Sequence, residues 1–111
     1  MQYLLLIYDK ESRWAKGYDP VEMAGYGDFG KEFAKSIKGG NALKPTNTAT
    51  TVRVRDGKRL TTDGPFAETK EQLSGFYLVD AKDSDEAIHI AGKIPAAKYG
   101  SIEVRPIMTF D

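Results

Sequence analysis

The chain has 111 residues, with 16 Lys and Arg balancing 16 Asp and Glu, one His and no Cys. Zero net charge removes the clustered basic surface on which nucleic-acid affinity largely depends, and the missing Cys excludes disulfides, thiol catalysis and thiolate metal sites. With 41% hydrophobic residues and a length typical of one domain (about 100–150 residues), residues 1–111 are expected to fold as a single domain.

His89 is the only imidazole, so no metal site and no cofactor are expected. The apolar run Tyr3–Tyr8 is far shorter than the roughly 20 residues that cross a bilayer. It lacks a basic flank and a small-residue cleavage site. A cytoplasmic protein with no membrane and no nucleic-acid partner is expected.

Met1 to Tyr8 reads as a strand, apolar on both faces through Leu4–Ile7. A polar loop with Trp14 follows. Asp19-Pro20-Val21-Glu22 reads as a helix start: Asp19 caps, Pro20 fits the first turn and Glu22 completes a capping box. Met23, Tyr26, Phe29, Phe33 and Ile37 then recur at helical spacing, predicting a helix that ends at Gly39-Gly40.

Thr48 to Arg55 alternates β-branched and polar residues, and Asp56-Gly57 is a tight-turn dipeptide, so Lys58–Thr62 should fold back as a hairpin. Asp63-Gly64-Pro65 ends it. Gly75–Asp80 predicts a further strand. Asp83 or Ser84 opens a second helix with Ala87, Ile90, Ala91 and Ile94 on one stripe, and Pro95 closes it. Ser101–Ile107 is the last strand.

This order predicts an α+β βαββαβ plan with one extra short hairpin strand, both helices covering one face of a mostly antiparallel sheet. The opposite face should carry Arg53, Arg55, Tyr77, Glu103 and Arg105. A face that mixed is best covered by a second copy, which predicts a homodimer.

Gly25-Tyr26-Gly27-Asp28-Phe29-Gly30 matches G-x-G-x-x-G, but the glycines lie inside a helix already capped at Asp19 rather than in a strand-to-helix turn. The reading adopted is close packing of that helix on the sheet.

Asp63-Gly64-Pro65-Phe66-Ala67-Glu68-Thr69-Lys70-Glu71 is the most distinctive run, preceded by Thr48–Lys58 and followed by Gly75–Asp80 and Glu103–Ile107. Together these resemble the YCII-related family, in its branch named for the Asp-Gly-Pro-Phe motif. The resemblance implies a ferredoxin-like fold dimerised through its sheets into an α+β barrel, with a pocket in each protomer. Related branches pair an Asp with a His. The first helix here reads Glu22-Met23-Ala24-Gly25-Tyr26 without one, and His89 reads as a surface or flanking residue of the second helix.

Asp63 has two readings: a cap for the Gly64-Pro65 turn, or a general base whose pKa is set by burial against Phe66 and by Arg53 or Arg105. Glu68 and Lys70 lie in the same charged segment and join the candidate ligand site. Glu103 and Arg105 share a strand face, with Tyr77 expected on the neighbouring strand; Arg105 could hold a carboxylate or phosphate by two parallel hydrogen bonds. Trp14 either covers the pocket mouth or anchors its loop. Two functions stay open: a module that binds a small anionic metabolite or acts as a transcription-associated accessory protein, as the resemblance implies, or a cofactor-independent acid–base enzyme of isomerase or lyase type with Asp63 as base.

Overall fold

The computed structural model describes residues 1–110. Strand β1 (Gln2–Asp9) is followed by helix α1 (Pro20–Glu32), strands β2 (Ile37–Ala42), β3 (Thr50–Arg55), β4 (Lys58–Asp63) and β5 (Gln72–Asp80), helix α2 (Ser84–Gly92) and strand β6 (Ser101–Pro106). Four strands form one sheet in the order β2-β5-β1-β6, every neighbour antiparallel. This is the βαββαβ plan expected.

Two assignments differ from the sequence reading. Helix α1 stops at Glu32, and Ile37 to Gly40, expected as its end, belong to the edge strand β2. The predicted hairpin does form, with Asp56 and Gly57 at φ 53° and 74° as its turn requires, but β3 and β4 make a separate two-stranded ribbon rather than members of the main sheet. Val52 and Val54 on it are 56% and 62% exposed. The radius of gyration, 15.9 Å, exceeds the roughly 13 Å of a compact chain this long, because the ribbon stands away from the core.

The core forms between the sheet and the two helices. Tyr3, Leu5 and Ile7 of β1 and Val79 of β5 face Phe29 of α1 and Ala87, Ile90 and Ala91 of α2, with Ile94 and Ala96 beyond the helix. The α2 stripe is thus the one its spacing predicts. Leu5, Ile90 and Ile94 are sealed from solvent, each side chain worth about 1.5–3 kcal/mol of hydrophobic stabilisation. Asp83 caps α2, accepting the Glu86 N–H at 2.9 Å. Asp19 caps α1, accepting the Val21 N–H at 2.9 Å, but Glu22 does not close the expected capping box: its carboxylate turns outward to Arg13. At Gly25 an added Cβ would sit 3.2 Å from Pro95 Cγ, beyond α2 and outside the sheet, and at Gly27 and Gly30 it would meet nothing within 4 Å, so close packing on the sheet does not account for these glycines.

Cross-strand register corrects one further expectation. Leu5 pairs with Tyr77 on one side and Val104 on the other, whereas Leu6 pairs with Phe76 and Glu103, and Leu4 with Leu78 and Arg105. Directly opposed residues share a face. Tyr77 therefore looks into the helix layer, its ring 5.0 Å from Phe29, while Glu103 and Arg105 occupy the open face with Leu4, Leu6 and Leu78. Arg53 and Arg55 lie on the ribbon. Among the described residues no helix is long and apolar enough to cross a membrane.

Candidate functional site

The helix-facing positions of β2 and β5 change character along the sheet. At one end they are Ile37 and Val79, which fill the core; at the other they are Gly40, Ala42 and Gly75. Small residues leave the layer unfilled beneath the first half of α1. The result is a cavity of about 610 Å³, lined by this floor together with Ile7, Trp14, Tyr18, Tyr26, Tyr77 and Ala96. That volume lies in the range of small-molecule sites, about 300–1,000 Å³. The floor strands are also tightly apposed, since a Cβ on Gly40 would lie 2.7 Å from the Phe76 carbonyl oxygen and 2.8 Å from the Tyr77 ring.

One wall is ionic. Asp9 ends β1 in phase with Tyr3, Leu5 and Ile7 and is only 3% exposed. Arg13, in the short turn Glu11–Arg13, answers it: Nε donates to its two oxygens at 3.1 and 2.9 Å, and Nη2 to Oδ2 at 2.5 Å. The Lys10 N–H adds a bond to Oδ1 at 2.8 Å. The outer edge of the same guanidinium grips Glu22, with Nη1 to Oε2 at 3.1 Å and Nη2 to Oε1 at 2.9 Å, and its plane lies over Tyr99, 4.2 Å from the ring centre. Hydrogen bonds to Asp9 and then Glu22 raise the Arg13 pKa above its ordinary value, against the cost of burial. The guanidinium is permanently charged, and four of its five N–H groups are engaged by the two carboxylates.

Two phenols face this wall. Tyr26 follows Glu22 by one helical turn, so the two share a side of α1. Burial first, then the nearby Glu22 charge, pushes its hydroxyl up to about 12. Burial also raises the Tyr77 hydroxyl. At neutral pH both are protonated donors. Trp14 and Tyr18 stack at 5.9 Å between ring centres and line the cavity, Tyr18 with 61% of its surface exposed. Their loop is tied down by Glu11, which accepts the Thr46 N–H at 2.6 Å and the Thr46 hydroxyl at 3.1 Å. Among the described residues no cluster of three His, Asp or Glu is placed to hold a metal ion.

The family model of the YCII-related domain matches residues 1–111. This chain belongs to the YCII-related domain family. An uncharacterized protein of Rhizobium meliloti is 39% identical over 117 aligned positions, covering 99% of this chain and 94% of that protein. Among solved structures, this YCII-related chain is similar to a 5-chloro-2-hydroxyhydroquinone dehydrochlorinase of Burkholderia phenoliruptrix in complex with 2,5-dihydroxybenzoquinone. The TM-score is 0.57 at 14% identity, over 97% of this chain and 94% of that one. Identity that low establishes likeness of fold alone.

Of the site residues expected from sequence, Tyr77 lines the YCII cavity. Arg53 and Phe66 come together on the ribbon side, the guanidinium 5.5 Å from the ring centre, with Phe66 79% exposed. Asp63, Glu68 and Lys70 are exposed. The turn cap assigned to Asp63 is not made: the Gly64 N–H donates to the Ala49 carbonyl at 2.8 Å, and the Thr51 hydroxyl to the Gly64 carbonyl at 2.9 Å. Glu103 and Arg105 are exposed on the open face, and among the described residues neither joins an ion pair. His89 is exposed on α2, its ring 6.0 Å from Phe33.

Sequence reasoning missed Asp9, Arg13, Glu22 and Tyr26 as a site. A signal for the first pair is present: a carboxylate in phase with a buried strand face needs a partner, and an Arg stands four residues later. Glu22 and Tyr26 carry a fainter one, their spacing of one turn on the cavity side of α1.

Proposed function

We propose that the chain binds one small aromatic or quinone-like ring in the cavity between α1 and the sheet. The observation that carries this reading is the floor of Gly40, Ala42 and Gly75 beneath a space of about 610 Å³. A surface bearing no side chain larger than a methyl suits a planar ring, and Tyr26 and Tyr77, held protonated by burial, supply donors for ring oxygens. The fold neighbour that holds 2,5-dihydroxybenzoquinone supports the ligand's size alone, since that ring's acidic hydroxyls ionise at neutral pH. Calorimetric titration with hydroquinone and catechol tests the reading. One saturable site per chain is expected, weakened several-fold in Tyr77→Phe; no heat of binding at millimolar ligand would overturn it.

A second reading, proton transfer on that ring, is favoured by the Glu22–Tyr26 pair. A carboxylate able to accept a ring-hydroxyl proton stands one turn from a phenol able to donate one. Turnover lost in both Glu22→Gln and Tyr26→Phe, with ring affinity kept, is its signature. Asp63, expected as general base, lies outside this cavity and joins such a site only if a second protomer brings it there.

A homodimer is part of the proposal. Leu4, Leu6 and Leu78 are half-buried on an open sheet face, and the ribbon exposes Val52 and Val54. A two-stranded ribbon alone is at best marginally stable in water, and a second copy against this face would cover both. Arg53, Glu103 and Arg105 would then border the interface, where the small anion expected from sequence is the alternative ligand.

A further inference from the structure

Resting on the ring-binding reading, we infer that the cavity selects its ligand by charge, accepting a neutral or cationic ring and refusing the anionic isostere. Its charged lining consists of Asp9, Asp19 and Glu22 against the single cation Arg13. Arg13 offers an incoming carboxylate at most one spare N–H, on Nη1, because Nε and Nη2 donate to Asp9 and Nη1 and Nη2 to Glu22, so the two-bond clamp that holds a carboxylate is already taken. The α1 N-terminus, the other feature that attracts anions, is answered by Asp19, whose carboxylate accepts the Val21 N–H at 2.9 Å.

What remains is a surplus of negative charge beside aromatic faces. Trp14 and Tyr18 stack in the lining, and ring faces attract cations. An entering anion meets like charge in a partly desolvated space, where Coulomb repulsion is strong. A hydroxyl or ammonium on the ring can instead donate to the second carboxylate oxygen of Asp19 or to the edge of Glu22. The ligand class is therefore a ring bearing donors, a phenol or an aromatic amine, rather than an aromatic acid.

Benzyl alcohol, benzylamine and benzoate differ mainly in charge, and Trp14, the sole tryptophan, reports their entry by its fluorescence, with calorimetry as a second readout. At neutral pH and low salt, benzoate is expected to bind at least tenfold more weakly than either other probe. Glu22→Gln, and separately Asp19→Asn in case the first variant misfolds, should narrow that gap several-fold. Benzoate binding as tightly as benzyl alcohol would overturn the charge inference and leave the ring reading standing. Binding of none of the three would overturn both.

Discussion

Arg13 and Glu22 meet in the wall of the cavity, with the guanidinium Nη1 and Nη2 donating to the two carboxylate oxygens at 3.1 and 2.9 Å. The contact joins the loop after β1 to the first turn of α1. Its inner edge is simultaneously closed on Asp9, so one side chain fixes strand, loop and helix around the site.

Removing Arg13 should therefore cost stability. Asp9, 3% exposed, would keep a single backbone donor, from Lys10. Breaking a fully buried pair costs roughly 3–5 kcal/mol; Arg13 is itself partly solvated, so Arg13→Ala is expected to lose about 2–3 kcal/mol in urea unfolding. A loss below about 0.5 kcal/mol, the scale of an ordinary surface change, would contradict the anchoring role.

The glycines of the floor and of α1 should respond in opposite directions. Gly40→Ala places a methyl 2.7 Å from the Phe76 carbonyl oxygen and 2.8 Å from the Tyr77 ring, an overpacking expected to cost about 1–3 kcal/mol and to weaken ring binding. Gly27→Ala, in mid-helix with nothing within 4 Å of the new Cβ, should stabilise by about 0.5–1 kcal/mol. Its amide is a helix amide, so neither form should bind a nucleotide. Thermal unfolding of the two variants side by side, with calorimetry against NAD or ATP, checks all of this.

Much of the fold is legible in the sequence because its signals are local and strong: the apolar run of β1, the Asp19-Pro20 start, the Asp56-Gly57 turn and the α2 stripe. The edge strand β2 is not, for a physical reason. Ile37-Lys38-Gly39-Gly40-Asn41-Ala42 has no β-branched alternation, and its glycines read as a helix stop; it is a strand because β5 pairs with it. Likewise Thr50–Arg55 has the composition of a strand, but nothing local says which sheet it joins. The facing of Tyr77 depends on register, and a one-residue slip exchanges the two faces.

Tyr26 and Tyr77 should make stability fall at high pH. Their hydroxyls titrate higher in the folded chain, Tyr26 near 12 against an ordinary value of 10.0, with Tyr77 raised in the same direction. Between those values the folded state binds more protons than the unfolded state, so stability decreases as pH rises from about 10 towards 12. Phenolate absorbance should show a late-titrating tyrosine that disappears in Tyr26→Phe, with a flatter alkaline decline in stability. An unchanged profile would contradict burial of that hydroxyl.

Light scattering at micromolar concentration is expected to give the mass of a dimer, and Leu6→Glu, which puts a charge at the centre of the open face, that of a monomer. A monomeric parent chain would refute the covering role assigned to a second copy.

Amide chemical-shift mapping of the isotope-labelled chain during titration with hydroquinone bears most directly on where the ligand sits. Perturbations are expected to cluster at Gly40, Ala42, Gly75 and Tyr77 on the floor and at Glu22 and Tyr26 on α1. Perturbations confined to Arg53, Asp63, Phe66 and Lys70, with the floor glycines unmoved, would place the site on the ribbon and contradict the cavity.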